Sequence, residues 1–243
     1  MTLAETAELI AEQTDVANLD ELVARLFDVR SLASRMEARR KDIYAEVKVR
    51  FQRGTSVVYD ASLPSGGWHL RTVTVPVKRY RTVEAAAVKK VDAKLWEAAR
   101  VRKQRVSVKA PEGYGEPVVP KMPPATAAVL RTLDMTTLTR HYKAPVFQQI
   151  KELRAEEKEL VDTLAPLGGG GVLDDTETFA DGWSLELARL EFSAEKLRAI
   201  DPKAFDRLAV EKVTGGTTRV ILADLSLAQD QGEVELDDEQ WAE

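Results

Sequence analysis

The stretch NLDELVARLFDVRSLASRMEARRKDIYAEVKVRF, residues 18–51, decides how the rest of the chain is read. Leu22, Val29, Met36 and Ile43 recur at a spacing of seven, and Leu26, Ala33, Arg40 and Val47 form a second row four residues further on. Together they make one apolar seam, the repeat of a helix that lies along another helix. Asn18 followed by Glu21 has the spacing of a capping box, in which side chains take up free N–H groups of the first turn. Gly54 stands where the helix should end. Such a helix would be a rod of roughly 45–50 Å. Arg40 is charged where the seam is otherwise apolar, and it is tolerated there only if its head reaches water or a carboxylate. The pattern fits a coiled-coil-like hairpin, a homodimer arm, or an ordinary core-facing helix.

A shorter counterpart lies at Pro145–Leu164. Val146, Leu153 and Leu160 recur at seven, Ile150 and Leu164 share the neighbouring row, and Glu157 stands in that row where an apolar residue is expected. The passages that follow the two helices resemble each other. Gly67-Trp68-His69-Leu70 matches Gly182-Trp183-Ser184-Leu185, Val91–Trp96 matches Ile200–Phe205, and Arg105-Val106 matches Arg219-Val220. This order predicts an internal repeat. The alignment sets Arg40 over Glu157, so pairing of the two helices predicts a salt bridge between them that would fix register.

The predicted fold class is α+β: two helix–strand–helix–strand units in tandem, with coiled-coil-like helix pairing and small antiparallel sheets. Residues 1–17 hold a short helix and residues 18–109 the first, basic unit. Residues 110–125, with Pro111, Pro117, Pro120, Pro123 and Pro124, are a semi-rigid linker. Residues 126–223 form the second, acidic unit, and 224–243 an acidic tail. Asp92 is expected to cap a helix from Ala93, and Asp201-Pro202 to start its counterpart.

Composition excludes several classes. The 243 residues contain no Cys, so disulfide frameworks, thiolate metal sites and Cys nucleophiles are ruled out. No apolar run is long enough to span a membrane. Met1–Ile10 carries Glu5 and Glu8 and no base, unlike a secretory or transit signal, so a cytoplasmic location is expected. The two histidines, His69 and His141, build no metal motif or triad. Gly168–Gly171 lacks the Lys-Ser/Thr of a phosphate loop. Asp174, Asp175, Glu177 and Asp181 lack the spacing of a calcium loop. No catalytic residue, metal or cofactor is assigned.

The net charge of −5 hides a strong division. Residues 35–109 carry 19 Lys and Arg against 7 Asp and Glu; residues 151–243 carry 10 against 23. The basic half offers Arg39, Lys78, Arg79, Arg81, Arg102, Lys103 and Arg105, with Tyr80 and Trp96 interleaved, as phosphate contacts and base-stacking platforms. The contrary reading is that the halves pack together and neutralise each other. Leu22, Val29, Met36 and Ile43 of the seam, and Trp241 in the acidic tail, are the candidate protein-binding residues.

The order of a long helix, the strand Gly66-Gly67-Trp68-His69-Leu70-Arg71, a helix start at Val91-Asp92-Ala93-Lys94 and a closing strand at Val106–Val108 resembles early-region proteins of tailed phages. The nearest family is the Mu-type Gam host-nuclease inhibitors. The resemblance covers Leu22–Lys109, and Phe147–Leu222 as a second copy. A single chain carrying both units departs from that family, in which separate chains dimerise. The resemblance implies a non-enzymatic protein that binds DNA or a DNA-processing enzyme, a nuclease or an integrase, and so regulates recombination or protects DNA. Two alternatives remain open: a recombination directionality factor that binds a serine integrase without contacting free DNA, and an enzyme of unrecognised type.

Overall fold

A computed structural model describes residues 1–226. In chain order the elements are α1 (Leu3–Gln13), α2 (Leu19–Gln52), β1 (Val57–Tyr59), β2 (Gly67–Thr74), β3 (Lys78–Thr82), α3 (Ala85–Val91), α4 (Ala93–Ala98) and β4 (Arg100–Lys109). They continue as α5 (Ala127–Thr132), α6 (Met135–Tyr142), α7 (Gln149–Leu164), β5 (Thr176–Thr178), β6 (Ser184–Phe192), α8 (Ala194–Ile200), α9 (Pro202–Leu208), β7 (Val210–Thr214) and β8 (Thr218–Asp224). The class is α+β with small antiparallel sheets.

The long helix is present over 34 residues. Leu26, Val29, Ala33, Met36, Ile43 and Val47 are buried along it, while Val23 takes the buried place expected of Leu22, which is half-buried. Its end is as expected: Gly54 takes φ 106° and its N–H reaches the Phe51 carbonyl. Its start is not. Asn18 lies in the left-handed region (φ 56°), outside the extended conformation that aims a capping oxygen down the helix. The capping box forms instead on α1, where Thr2 accepts from the Glu5 N–H and Glu5 accepts from the Thr2 N–H.

Two compact units divide the chain, and they are interleaved along the sequence. The first holds Met1–Arg35, Arg79–Pro120 and Gln149–Val213; the second holds Met36–Lys78, Lys121–Gln148 and the chain from Thr214. This corrects the expected tandem boundaries at 18–109 and 126–223. The cause is strand exchange. In the second unit the sheet order is β1-β2-β8; in the first it is β4-β6-β5, and β3 pairs with β7. Each three-stranded sheet is completed by a strand from the other half of the sequence.

The first unit contains two matching helical hairpins. Asp92 caps α4 by accepting from the Leu95 N–H, and Asp201 caps α9 by accepting from the Ala204 N–H, both at 2.9 Å. The Asp92 and Asp201 N–H groups close α3 and α8 on the Val88 and Leu197 carbonyls, both at 2.8 Å. Both hairpins feed one core, in which Val83, Val88, Ala99, Leu197 and Phe205 are buried. Part of the proline-rich stretch also packs: Tyr114 makes edge contacts with Phe27 and Trp183.

In the second unit Trp68 and Leu70 of β2 are buried, and β2 pairs with β8 from Trp68↔Asp224 to Thr74↔Thr218. Gly67 (φ 137°) admits no side chain, because a Cβ there would lie 2.1 Å from the Val58 carbonyl oxygen. Past β1, the Asp60 side chain is fully buried and receives two hydrogen bonds from Arg140 of α6, both at 2.6 Å. Ser62 adds its N–H and hydroxyl. Arg140, then Ser62, hold the Asp60 carboxyl well below the usual carboxylate range.

The folded-state value of Asp60 is depressed, so its contribution to stability is complete above the ordinary carboxyl value near 4 and is lost as pH falls below it. Asp60→Asn should therefore lower the melting temperature at pH 7, and the gap to wild type should begin to narrow below about pH 4. Thermal melts across pH 3–7 check this; a gap independent of pH would contradict the assignment.

Candidate nucleic-acid interface

The basic residues singled out in the sequence fall mainly on β3 and β4. Alternation along β3 places Lys78 and Tyr80 on one face and Arg79 and Arg81 on the other. All four are exposed. Arg79 meets Glu211 of β7 at 3.7 Å, and Arg81 meets Asp206 of α9 at 3.0 Å. On β4, Arg102 grips Asp175 through Nε and Nη2, with its shortest contact at 2.6 Å. That contact lowers the Asp175 carboxyl and raises the Arg102 guanidinium. Lys103 and Arg105 share Glu191 at 3.7 and 3.5 Å.

Five of the seven candidate phosphate contacts are thus faced by carboxylates from the acidic half. The reason is the strand exchange, which lays β6 and β7 beside β4 and β3. These pairs are exposed and contribute little to stability, but each sets a carboxylate against a cation that a phosphate would otherwise meet. Lys78 is exposed and Arg39 is half-buried on α2; among the described residues neither faces a carboxylate. Trp96 is not open for base stacking, since Lys89 covers it at 4.5 Å and Arg100 at 5.0 Å. Tyr80 remains 48% exposed.

The sequence reading overlooked the hairpins as charged elements. Lys89 and Lys90 end α3 and Lys94 begins α4, all exposed. Arg198 ends α8 and Lys203 begins α9, also exposed. Arg198 stacks on Phe205 at 5.5 Å, as Lys89 stacks on Trp96. The signal was present as a repeated pattern, basic-x-aliphatic-Asp-x-Lys, at Lys89–Lys94 and Arg198–Lys203.

The expected Arg40–Glu157 pair does not form. Glu157 pairs with Arg30 at 2.7 Å and with Arg154 on its own helix. Arg40 lies roughly 15 Å further along α2 than Arg30, where its guanidinium sits 4.6 Å over the Tyr142 ring and its Nε has no hydrogen-bond partner. Seven-residue spacing identifies a face, and the axial offset between two helices decides which residues on that face meet. Hydrogen bonds to Arg30 and Arg154 outweigh burial and lower the Glu157 carboxyl. The seam residues Val29, Met36 and Ile43 are almost wholly buried in the folded chain and offer no free docking face. Trp241 and the acidic tail beyond Ser226 lie outside the described residues.

The remaining acidic candidates are occupied locally. Asp181 accepts from the Leu3 N–H, and Glu177 accepts from the Asp174 N–H. Among the described residues no group of three or more His, Asp and Glu is placed to hold a metal ion. A groove of about 320 Å³ in the first unit, lined in part by Thr6, Leu9, Ile10 and Phe179, contributes one carboxylate, Glu177, and no basic side chain. No described helix is long and apolar enough to cross a membrane. Comparison with protein-family models, curated proteins and solved structures finds no match.

A double-mutant cycle tests the helix pairing. Arg30→Ala and Glu157→Ala should be coupled by about 1 kcal/mol, the range for half-buried contacting charges, whereas Arg40→Ala and Glu157→Ala should add independently. Urea midpoints of the single and double variants read both values. Coupling of Arg40 with Glu157 would overturn the observed pairing.

Proposed function

We propose that the protein is a non-enzymatic, DNA-binding accessory factor that regulates recombination or protects DNA, acting on duplex backbone and on a DNA-processing enzyme. The observation that carries this reading is a concentration of positive charge in the segments that hold the two helical hairpins. Residues 79–109 carry ten Lys and Arg against three Asp and Glu, and residues 184–213 carry six against six, a balance of +7. The rest of the first unit, residues 1–35, 110–120 and 149–183, carries six against eighteen. The positive charge of that unit is concentrated in residues 79–109, and such a concentration attracts a polyanion. The resemblance to Mu-type Gam inhibitors supports the assignment to DNA metabolism, and cytoplasmic location follows from it.

The ion pairs on Arg79, Arg81, Arg102, Lys103 and Arg105 favour a second reading. With those cations engaged, the chain acts on an integrase–DNA complex as a recombination directionality factor and leaves free DNA alone.

Fluorescence anisotropy with a duplex of about 30 base pairs separates the two. On the first reading the affinity falls steeply between 50 and 200 mM salt, linearly in the logarithms of both quantities. Glu191→Gln, which releases Lys103 and Arg105, should strengthen binding and steepen that line. On the second reading free duplex gives no signal, and a serine integrase bound to its site is supershifted. Absence of both effects would reject the DNA-metabolism reading.

A further inference from the structure

We infer that the tips of the two helical hairpins, α3–α4 and α8–α9, are the elements that meet the DNA backbone, two equivalent contacts supplied by one chain. The inference rests on the DNA-binding reading above and assigns its site. The pattern Lys89-Lys90-Val91-Asp92-Ala93-Lys94 is repeated as Arg198-Ala199-Ile200-Asp201-Pro202-Lys203. The aspartate in each is accounted for by the fold, as the cap of α4 or α9. So is the buried aliphatic residue one turn earlier, Val88 or Leu197. The others are not. Val91 is 58% exposed and Ile200 47% exposed, and neither belongs to the shared core. Lys90, Lys94 and Lys203 are exposed, and among the described residues none has a carboxylate within ion-pair distance.

A lone exposed aliphatic residue is unremarkable on any protein surface. Here an aliphatic residue stands between cations at identical spacing in both hairpins, with the same cap beside it. The chemistry suits a ligand that alternates anionic and apolar groups along its length. The sugar–phosphate backbone is such a ligand, with ammonium groups meeting phosphate oxygens and the aliphatic side chain lying against deoxyribose. An acidic protein surface is less well matched, because its apolar and anionic groups follow no fixed repeat.

The topology supplies the second half of the argument. β3 leads into α3 and pairs with β7, which leaves α9; β4 leaves α4 and pairs with β6, which leads into α8. Exchanging the two hairpins leaves this scheme unchanged, so they are topologically equivalent. The two strands of duplex DNA present the same backbone chemistry, so two tips of the same chemistry have equivalent groups to meet. The β3 and β4 arginines, engaged with Asp206, Asp175, Glu191 and Glu211, are positioned by the fold and are not the principal contacts.

Three measurements on the full chain test the site. In the anisotropy titration, the triple variant Lys90→Ala, Lys94→Ala, Lys203→Ala should flatten the salt dependence by about 2.7, near 0.9 for each phosphate contact removed. Lys151→Ala with Lys158→Ala, exposed on α7 of the same unit, should leave it almost unchanged. In wild-type protein, duplex DNA should shield Lys90, Lys94 and Lys203 from acetylation, a readout that needs no variant to fold. A wild-type slope for the triple variant, or undiminished acetylation of these lysines with DNA bound, overturns the assignment. Failure of wild-type protein to bind duplex DNA rejects the DNA-binding reading itself, a separate result.

Discussion

The constraint on which the rest depends is the exchange of strands between the two halves of the sequence. β2 has β1 on one edge and β8 on the other; β6 has β5 on one edge and β4 on the other. A two-stranded hairpin alone is marginal in water, so β1–β2 and β5–β6 each gain a third strand only from distant sequence. β4 pairs with β6 from Arg100↔Phe192 to Lys109↔Ser184, with a bulge between Gln104 and Ser107. Removing either half would leave an unpaired strand edge in what remains, and open edges invite association. The halves are thus parts of the same ladders, and neither is a domain by itself.

The electrostatics follow from the ladders. Carboxylates on β6, β7 and α9, and Asp175 ahead of β5, are brought against cations of β4 and β3, and five of the most prominent cations find partners. A chain whose charge is so divided along its sequence is less divided in space. The residual charge lies where no ladder imposes a partner. On α3 and at the start of α4, Lys90 and Lys94 project from a hairpin whose own acids are Asp92, engaged as a cap, and Glu97, paired with Arg100. Pairing decides which cations are satisfied, and the unsatisfied ones mark the surface with most to gain from an anion.

Legibility in the sequence divides along the same line. Features fixed by near neighbours were readable: the Gly54 stop, the Asp92 and Asp201 caps, the Gly-Trp strands and the helix that follows Pro145. Features fixed by distant neighbours were not. β7 is exposed at every position and has no alternation to read, since it forms by pairing with β3. α3 presents Ala-Ala-Ala-Val-Lys-Lys-Val, with Val88 as its one buried residue, too little for a helical period. The charged candidates were chosen from linear density, which cannot register that Asp175, Glu191, Asp206 and Glu211 lie across the strands from them.

Arg40 shows the same limit at a single residue. Its position in an apolar row required a compensating group, and a carboxylate in the counterpart row was the nearest choice by alignment. The fold supplies an aromatic face instead, Tyr142, itself packed against Tyr44, whose hydroxyl both accepts from the Val220 N–H and donates to the Val220 carbonyl. A ring quadrupole accommodates a guanidinium without the strict geometry of a salt bridge, so the arginine holds α2 to α6 without fixing register as an ion pair would. Glu157, released from that role, is held by Arg30 and Arg154. Arg40 and Glu157 are therefore each engaged within their own unit, and α2 contributes buried apolar residues to both.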